Sequence, residues 1–337
     1  MTAALARWIG RLLLGSMLAI FALPAVALLG WQVRRMERGV YVTIMRRSGI
    51  GRRDVEKRFR ASKDFTDMAD PVPLLEAGKP VRAIWRHLAL GFRATVAFGV
   101  LLVPIGCIFA LAWWGGWNNS YYKGYENADY GAVSFLAALM FALPLLALHQ
   151  MAQPHFAVQQ RLSSVLEWRQ LVAFLAAAPL RSLAHVLLVI VLSLPVFGFR
   201  ALPVFAEEIA PQLAYATPDQ LQVVRFAVIA LTGAYVFLAS GWIRANSARI
   251  YGVALSRMAG QPGLSDSRAT RMADNLVPAK GRRKAWPGKA RCALVLVVAS
   301  VIWLALPVLV VVGQFMNINW MMWLNHPLLL LPWLPGG

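Results

Sequence analysis

The sequence predicts an all-α protein, a polytopic transmembrane bundle of about six helices. Of its 337 residues, 59% are hydrophobic and only 15% are charged, whereas soluble domains carry about 25% charged residues. Several long stretches contain no Asp, Glu, Lys or Arg, and a helix needs roughly 20 apolar residues to cross the hydrocarbon layer. Six spans are therefore predicted, at 12–33, 94–114, 132–153, 183–204, 223–243 and 292–313.

The distribution of charge predicts how these spans are oriented. The net charge is +19, and segments 34–93, 154–182 and 244–291 hold fifteen, three and eleven of the 34 Lys and Arg residues. Because loops that face the cytoplasm carry an excess of Lys and Arg, these three alternate segments are predicted to be cytoplasmic. The loops 115–131 and 205–222 are short and slightly acidic. Both termini are then predicted to be periplasmic.

Tryptophan positions agree with these boundaries. An indole ring favours the interface between lipid and water because it is apolar on one side and polar on the other. Six tryptophans fall at predicted span ends: Trp8, Trp31, Trp113, Trp114, Trp117 and Trp242.

The first apolar run has an alternative interpretation as a cleaved signal peptide. Arg7 and Arg11 resemble the basic start of such a peptide, and "LPAVA" resembles a cleavage site. The stretch that follows, "QVRRMERGVYVTIMRR", is strongly basic. A basic flank is typical of a retained helix whose end lies in the cytoplasm, so we expect span one to be retained.

The segments between and after the spans also carry expectations. The basic cytoplasmic segment 34–93 ends in "VRAIWRHLALGFR", which predicts an amphipathic helix leading into span two. Segment 154–182 is predicted to be a cytoplasmic interfacial helix. Segment 244–291 begins as a continuation of span five and then becomes a basic linker, rich in Gly, Pro and Ser, that we expect to be mobile. The uncharged tail 314–337 is expected in the outer interface or packed on the bundle.

Prolines recur inside the apolar runs, as in the repeated "FALP". A proline inside a helix removes a backbone donor and kinks the helix. Because the neighbouring residues are apolar and offer nothing that would sense a cargo, we interpret these prolines as shaping a curved bundle rather than as hinges. The candidate kinks are Pro24, Pro104, Pro144, Pro195 and Pro307.

Ionisable residues are missing from the middle of every predicted span. Such residues mark proton relays and ion paths, so the pattern disfavours a proton-coupled transporter. His149 and His155 lie on either side of Pro154, which is predicted to break the helix, and they are interpreted as interfacial residues rather than metal ligands. No HExxH, CxxC, GxSxG or P-loop motif occurs. No catalytic residue, metal site or cofactor is therefore predicted.

The basic segments are expected to contact anionic lipid headgroups or a membrane-protein partner. Each basic residue near such a surface contributes about 1 kcal/mol of attraction. Nucleic acid is disfavoured as a partner because no nucleic-acid-binding fold or pattern of stacking aromatic residues accompanies the charge. The candidate contacts are Arg46, Arg47, Arg52, Arg53, Arg58, Arg282, Arg283 and Lys284.

The stretch from about 150 to 255 resembles a family of uncharacterised multi-pass bacterial membrane proteins, a domain of unknown function. The residues that carry the resemblance are Phe156 with Arg161, "EWRQ" before Pro179, the step Leu194–Pro195, and Ala248–Arg249 with Tyr251. The resemblance covers about a third of the chain. It implies a bacterial inner-membrane setting and supplies no site residues.

Three hypotheses for function follow. The first is a non-catalytic accessory, scaffold or assembly subunit of a membrane complex, which the missing catalytic motifs and mid-span charges favour. The second is a permease or channel component, which the proline-bearing spans favour. The third is a membrane-embedded enzyme that acts on lipid, favoured by little beyond location.

Overall fold

The computed structural model describes residues 2–51, 53–55, 57, 80–111, 128–201, 210–277, 298, 301 and 325–333. Within these ranges all regular structure is helical and no strand occurs. Two short 3-10 helices, Leu162–Leu166 and Pro211–Tyr215, accompany the α-helices. The α-helices are α1 (Thr2–Ile20), α2 (Ala22–Arg47), α3 (Pro80–Leu111), α4 (Ala128–Gln159), α5 (Trp168–Ala177), α6 (Pro179–Ala201), α7 (Pro218–Met258) and α8 (Arg268–Leu276).

Three stretches of helix are long and apolar enough to cross a membrane: Ile84–Leu111, Pro179–Val196 and Pro218–Met258. They fall on predicted spans two, four and five, so the all-helical class is confirmed for the described residues, and these three helices are compatible with a membrane protein. The arrangement with six spans stays a prediction. Except for residues 298 and 301, the predicted span 292–313 lies outside the described residues, and so does Pro307.

The first predicted span is not one continuous helix, and the prediction of a single helix over 12–33 is wrong. α1 ends at Ile20, and Phe21 has extended backbone angles (φ −112°, ψ 137°) before α2 begins at Ala22. Pro24 lies in the first turn of α2, where a missing N–H costs no helical hydrogen bond. α2 then continues to Arg47, so the start of the basic segment 34–93 is part of this helix.

Glycine residues allow α2 and α3 to cross closely. α2 packs against α3 where Gly30 faces Gly91. A Cβ atom at Gly30 would collide with the carbonyl oxygen of His87, and one at Gly91 would collide with that of Val26. The two backbones can approach this closely only because neither position has a side chain.

α4 runs through Pro154 to Gln159, so the predicted break at Pro154 is wrong. A proline at position 154 leaves the carbonyl of Gln150, four residues earlier, without its helical donor. The hydroxyl of Ser247 on α7 donates a hydrogen bond to that carbonyl. The neighbouring helix thus replaces the donor that the proline removes, which is how membrane helices tolerate proline.

The other predicted kinks lie inside helices that continue past them. Pro104, Pro144 and Pro195 belong to α3, α4 and α6, and all three side chains are exposed. One turn before Pro195, the carbonyl of Leu192 accepts a hydrogen bond of 2.6 Å from the hydroxyl of Tyr235 on α7. Whether these prolines curve their helices stays a prediction.

Two segments predicted at the surface belong to the protein core. Segment 154–182 contains the end of α4, α5 and the start of α6, with Phe156, Leu171 and Phe174 fully buried. It is therefore not a single helix, and its position at the membrane interface stays a prediction. α7 continues to Met258, as predicted, but 259–277 is not a mobile linker, because α8 packs on α2 and α7 through Ala269 and Ala273.

Residues 325–333 of the tail pack inside the bundle. Leu328 and Leu329 form an apolar cluster with Val189 and Val196 of α6 and Ile243 of α7. The alternative that the tail packs on the bundle is confirmed for this segment. The side of a membrane on which it lies stays a prediction.

Candidate functional site

Polar side chains are buried where α2, α4, α6 and α7 meet the tail. We call the first group the Arg244 centre. Its members are Gln32 of α2, Gln153 of α4, Ser240 and Arg244 of α7, and the carbonyls of Leu329 and Leu330.

Arg244 lies on α7 with only 1% of its surface exposed. Its Nη1 donates to Gln32 Oε1 at 2.7 Å, and its Nη2 donates to the carbonyl oxygens of Leu330 at 2.6 Å and Leu329 at 3.4 Å. A buried charge is tolerated only when its hydrogen-bonding groups are matched. Here three oxygen atoms from two distant parts of the chain match the two Nη groups, whereas Nε has no partner among the described residues.

The neighbours of Arg244 are held in turn by other polar groups. Gln32 Nε2 donates to Ser240 Oγ at 2.9 Å, which orients Gln32 Oε1 toward the guanidinium. Gln153 Nε2 donates to the carbonyl of Leu329 at 2.9 Å. Gln153 Oε1 and Arg244 Nε have no partner among the described residues, so the network is only partly satisfied, and its hydrogen bonds link α2, α4 and α7 to the tail.

The tail needs these donors because its backbone is irregular. Residues 327–330 form a turn in which the N–H groups of Leu329 and Leu330 donate to the carbonyl of His326. The side chain of Asn325 accepts from the N–H of Leu331 and donates to the carbonyl of Trp333. Irregular backbone inside a membrane protein must find its partners within the protein, since lipid offers none. Arg244 and Gln153 provide them.

A small cavity adjoins the centre. Its volume is about 10 Å³, close to the smallest space that holds one water molecule. Asn246 Nδ2 lies 3.0 Å from His185 Nδ1, and Gln153 Nε2 lies 3.2 Å from His149 Nδ1. The cavity is lined by residues of α4, α6, α7 and the tail, including His149, Gln150, Gln153, His185, Ser247 and Leu329.

A second group, which we call the Glu167 centre, lies at the end of α4. His155 Nδ1 is 2.8 Å from the hydroxyl of Tyr251, and His155 Nε2 is 2.9 Å from Glu167 Oε2. Arg161 donates to Glu167 Oε1 at 3.4 Å. Burial lowers the pKa of His155, while the hydrogen bond and charge of Glu167 oppose that shift. Phe174 packs on both His155 and Tyr251 and closes the group from one side.

The histidines differ from their predicted role. His149 and His155 are each 1% exposed, so the interfacial interpretation is wrong. The two histidines have different partners. His149 contacts Gln153 and Phe98. His155 contacts Tyr251 and Glu167. In the part of the chain that the structure describes, no group of three His, Cys, Asp or Glu side chains is arranged to hold a metal ion.

A third buried polar group is centred on Glu37, which lies on the part of α2 beyond predicted span one. Its Oε2 accepts from Arg34 Nη1 at 3.0 Å and from Gln160 Nε2 at 3.3 Å. Burial raises the pKa of Glu37 to about 7, and the guanidinium of Arg34 offsets only part of that rise. Gln160, the residue after the end of α4, has a positive φ of 56°, a conformation common at helix ends. Its carbonyl accepts from Arg93 of α3.

Several residues of the predicted family resemblance come together at this end of the bundle. Arg161, Glu167 and Tyr251 belong to the Glu167 centre. Gln170 Oε1, from the same "EWRQ" stretch, accepts from the N–H and hydroxyl of Ser265 at 3.1 and 2.8 Å. These residues therefore fasten α4, α5 and α7 to one another and to the segment before α8.

Three of the predicted lipid or partner contacts are described, and all three are exposed. Arg46 and Arg47 are exposed at the end of α2, and Arg53 is exposed six residues later. The remaining candidates lie outside the described residues: Arg52, Arg58, Arg282, Arg283 and Lys284.

Comparison of the chain with known protein families, with curated proteins and with solved structures finds no match. The resemblance to a family of bacterial membrane proteins therefore stays a prediction. What can be argued about function depends on the geometry of the chain itself.

Proposed function

We propose that this chain is a non-catalytic, multi-pass bacterial inner-membrane protein that serves as an accessory, scaffold or assembly subunit of a membrane complex. One observation carries the proposal. The buried polar groups of the Arg244 centre bond to one another and to the chain's own tail, and the adjoining cavity of about 10 Å³ leaves no room for a cargo. Such a core suits a protein whose task is to keep a fixed shape.

The proposed arrangement has six spans with the basic segments in the cytoplasm. Exposed Arg46, Arg47 and Arg53 are then available to anionic headgroups or to a partner. The buried polar centres would lie toward the cytoplasmic side of the bundle, next to these segments.

Purification from membranes at native expression tests the proposal. A tagged full-length chain, extracted in mild detergent and analysed by mass spectrometry, is expected to bring down a membrane protein in stoichiometric amount. An untagged strain serves as the control for background. Recovery of the chain alone, folded and monodisperse, would contradict a role as a subunit.

Labelling of single cysteines tests the orientation. In a background with Cys107→Ala and Cys292→Ala, Tyr215→Cys places a thiol on the loop 205–222, and Arg46→Cys places one at the end of α2. A maleimide that cannot cross membranes should label Tyr215→Cys in intact cells and Arg46→Cys only after permeabilisation. The opposite order would overturn the orientation.

The alternative, a permease or channel component, is favoured by the histidine-lined cavity between α4, α6 and α7. Purified protein in liposomes should show no flux of ions or small solutes above empty liposomes. A flux that Val189→Ile abolishes by filling the cavity, and that the exposed control Val191→Ile leaves unchanged, would favour the channel instead.

A further inference from the structure

Two amide oxygens of α4 lack a partner beside the small cavity. Gln150 and Gln153 both line this cavity and are only 4% and 2% exposed. The Nε2 of Gln150 donates to the carbonyl of Ser182 at 3.3 Å, and the Nε2 of Gln153 donates to that of Leu329 at 2.9 Å. Because each amide nitrogen faces a carbonyl, each Oε1 is fixed on the other branch of its side chain. Neither Oε1 has a partner among the described residues.

Buried acceptors without a donor are uncommon in folded proteins. Most buried polar groups bond either to the protein or to ordered water, because a group that leaves water without a new partner destabilises the fold. Both acceptors here belong to residues that line the same cavity. The pair therefore calls for an occupant that can donate two hydrogen bonds.

His185 of α6 provides a third polar group at this cavity. Its Nδ1 lies 3.0 Å from Nδ2 of Asn246, an amide nitrogen that can only donate. The Nδ1 of His185 is therefore the acceptor of this bond, and the hydrogen of the neutral ring is on Nε2. An occupant that accepts one hydrogen bond from His185 and donates two to the glutamines would satisfy all three residues.

The size of the cavity limits what can occupy it. Its volume of about 10 Å³ matches one water molecule, and a buried water typically makes about three hydrogen bonds. A metal cation fits less well, because hard cations take six or more oxygen ligands and Nε2 of His185 presents a hydrogen to the site. The rest of the lining is mainly apolar, from Leu146, Val186, Val189 and Ile243.

We propose that this cavity is a binding site for one structural water molecule. The water donates to Oε1 of Gln150 and to Oε1 of Gln153, and it accepts from Nε2 of His185. It thereby joins α4 to α6 and gives Gln153 the partner that the Arg244 centre does not supply. The inference goes beyond the proposed role as a subunit and does not depend on it.

An experimental structure of the full-length chain, at a resolution that shows ordered water, tests the site most directly. The proposal predicts a density peak in the cavity within about 3 Å of both Oε1 atoms. Val189→Ile places an extra carbon in the cavity and should remove the peak, whereas Val191→Ile, an exposed position on the same helix, should keep it. A cavity without a peak, in a map that shows other buried waters, would overturn the proposal.

A double-mutant cycle between Gln150 and Gln153 tests whether the water bridges them. Gln150→Met and Gln153→Met each remove one acceptor, so the first substitution already disturbs the water that the second would lose. Their effects on the folding equilibrium constant, measured in detergent, should therefore differ from a simple product by about fivefold or more. In a Val189→Ile background, where the water is displaced, the two effects should multiply. The same interaction in both backgrounds would assign it to direct packing and overturn the proposal.

Salt composition distinguishes water from a cation at the same site. A ligand that binds only the folded state raises stability with its concentration. The water site predicts the same unfolding midpoint in sodium, potassium and choline chloride at equal ionic strength. A midpoint that rises with sodium or potassium in the unmodified chain, but not in Gln150→Met, would identify a cation as the occupant and overturn the proposal.

Discussion

The two halves of α7 lie in opposite surroundings. From Pro218 to Leu231 most side chains are exposed, including Val223 and Phe226, whereas from Ile243 to Met258 most are buried. From Val223 to Leu231 the exposed half is apolar apart from Arg225, and the buried half contains Arg244, Ser247, Tyr251 and Ser256. In lipid an apolar surface needs no cover, while polar groups must find partners inside the protein. The fold is therefore specified mainly at the end next to the basic segments.

The beginning and end of α7 reflect this difference. At the exposed end, Thr217 and Gln220 form reciprocal hydrogen bonds that cap the helix by local sequence alone. Over its 41 residues the helix extends about 60 Å, twice the thickness of the hydrocarbon layer. In the proposed arrangement its buried end would extend beyond the lipid, and this end depends on tertiary contacts.

The largest expected effect comes from the buried arginine of this helix. Arg244→Met leaves the carbonyl of Leu330 and the Oε1 of Gln32 without their donor and removes one of the two donors to the carbonyl of Leu329, which should cost about 3 to 5 kcal/mol. Arg225→Met, at the exposed end of α7, should change stability by less than about 0.5 kcal/mol. Unfolding of both variants in detergent measures the difference, and equal losses would contradict the contrast between the two halves.

Backbone packing at the buried half should give the next largest effect. A Cβ atom at Gly252 would lie 2.8 Å from the Cβ of Thr43 and 3.2 Å from the carbonyl oxygen of Val40. Gly252→Ala should therefore separate α2 from α7 and cost about 2 to 3 kcal/mol. Gly198→Ala on α6 has open space around it and should be neutral or slightly stabilising. A neutral Gly252→Ala would show that the α2–α7 contact is loose.

The carboxyl of Glu37 should make stability depend on pH. Its pKa of about 7 in the folded protein exceeds the ordinary value of 4.5, so its contribution is greatest below pH 4.5 and is lost as the pH rises to 7. Glu37→Gln keeps the side chain neutral and should be more stable than the unmodified chain at pH 8, by about 2 kcal/mol. Denaturation curves of both proteins at pH 5 and pH 8 test this. A difference in stability that is the same at both pH values would contradict it.

A substitution in the Glu167 centre should cost less stability than the substitution of Arg244. Tyr251→Phe removes the hydroxyl that bonds to His155 Nδ1 and should cost about 1 kcal/mol. Tyr215→Phe, on an exposed residue of the loop 205–222, is the matched control and should have no effect. A loss in Tyr251→Phe as large as that in Arg244→Met would place the main polar support in the Glu167 centre instead.

Composition and apolar run length predicted the all-helical class, three helices that are long and apolar enough to cross a membrane, and the continuation of α7 past residue 243. They could not predict the role of Arg244, because an uncharged run that ends at 243 places the next arginine at the interface. Its partners Gln32 and Leu330 are 212 and 86 residues away, beyond the reach of any local pattern.

Predictions from local sequence also failed where a neighbouring helix supplied a hydrogen-bond donor that the local sequence lacks. The break at Pro154 was predicted from the loss of one backbone donor. Ser247 replaces that donor from α7, ninety-seven residues away in the chain, and α4 continues. The uncharged tail was assigned to an interface by the same kind of local argument, although its carbonyls have partners within the bundle.

A double-mutant cycle between Arg244 and Gln153 tests most directly whether the buried polar groups hold this end of the bundle as one unit. Both side chains donate to the carbonyl of Leu329, at 3.4 and 2.9 Å. If they hold the tail together, the losses in Arg244→Met and Gln153→Met should be non-additive, with a coupling energy of about 1 to 2 kcal/mol. Losses that add to within about 0.5 kcal/mol would contradict a shared role.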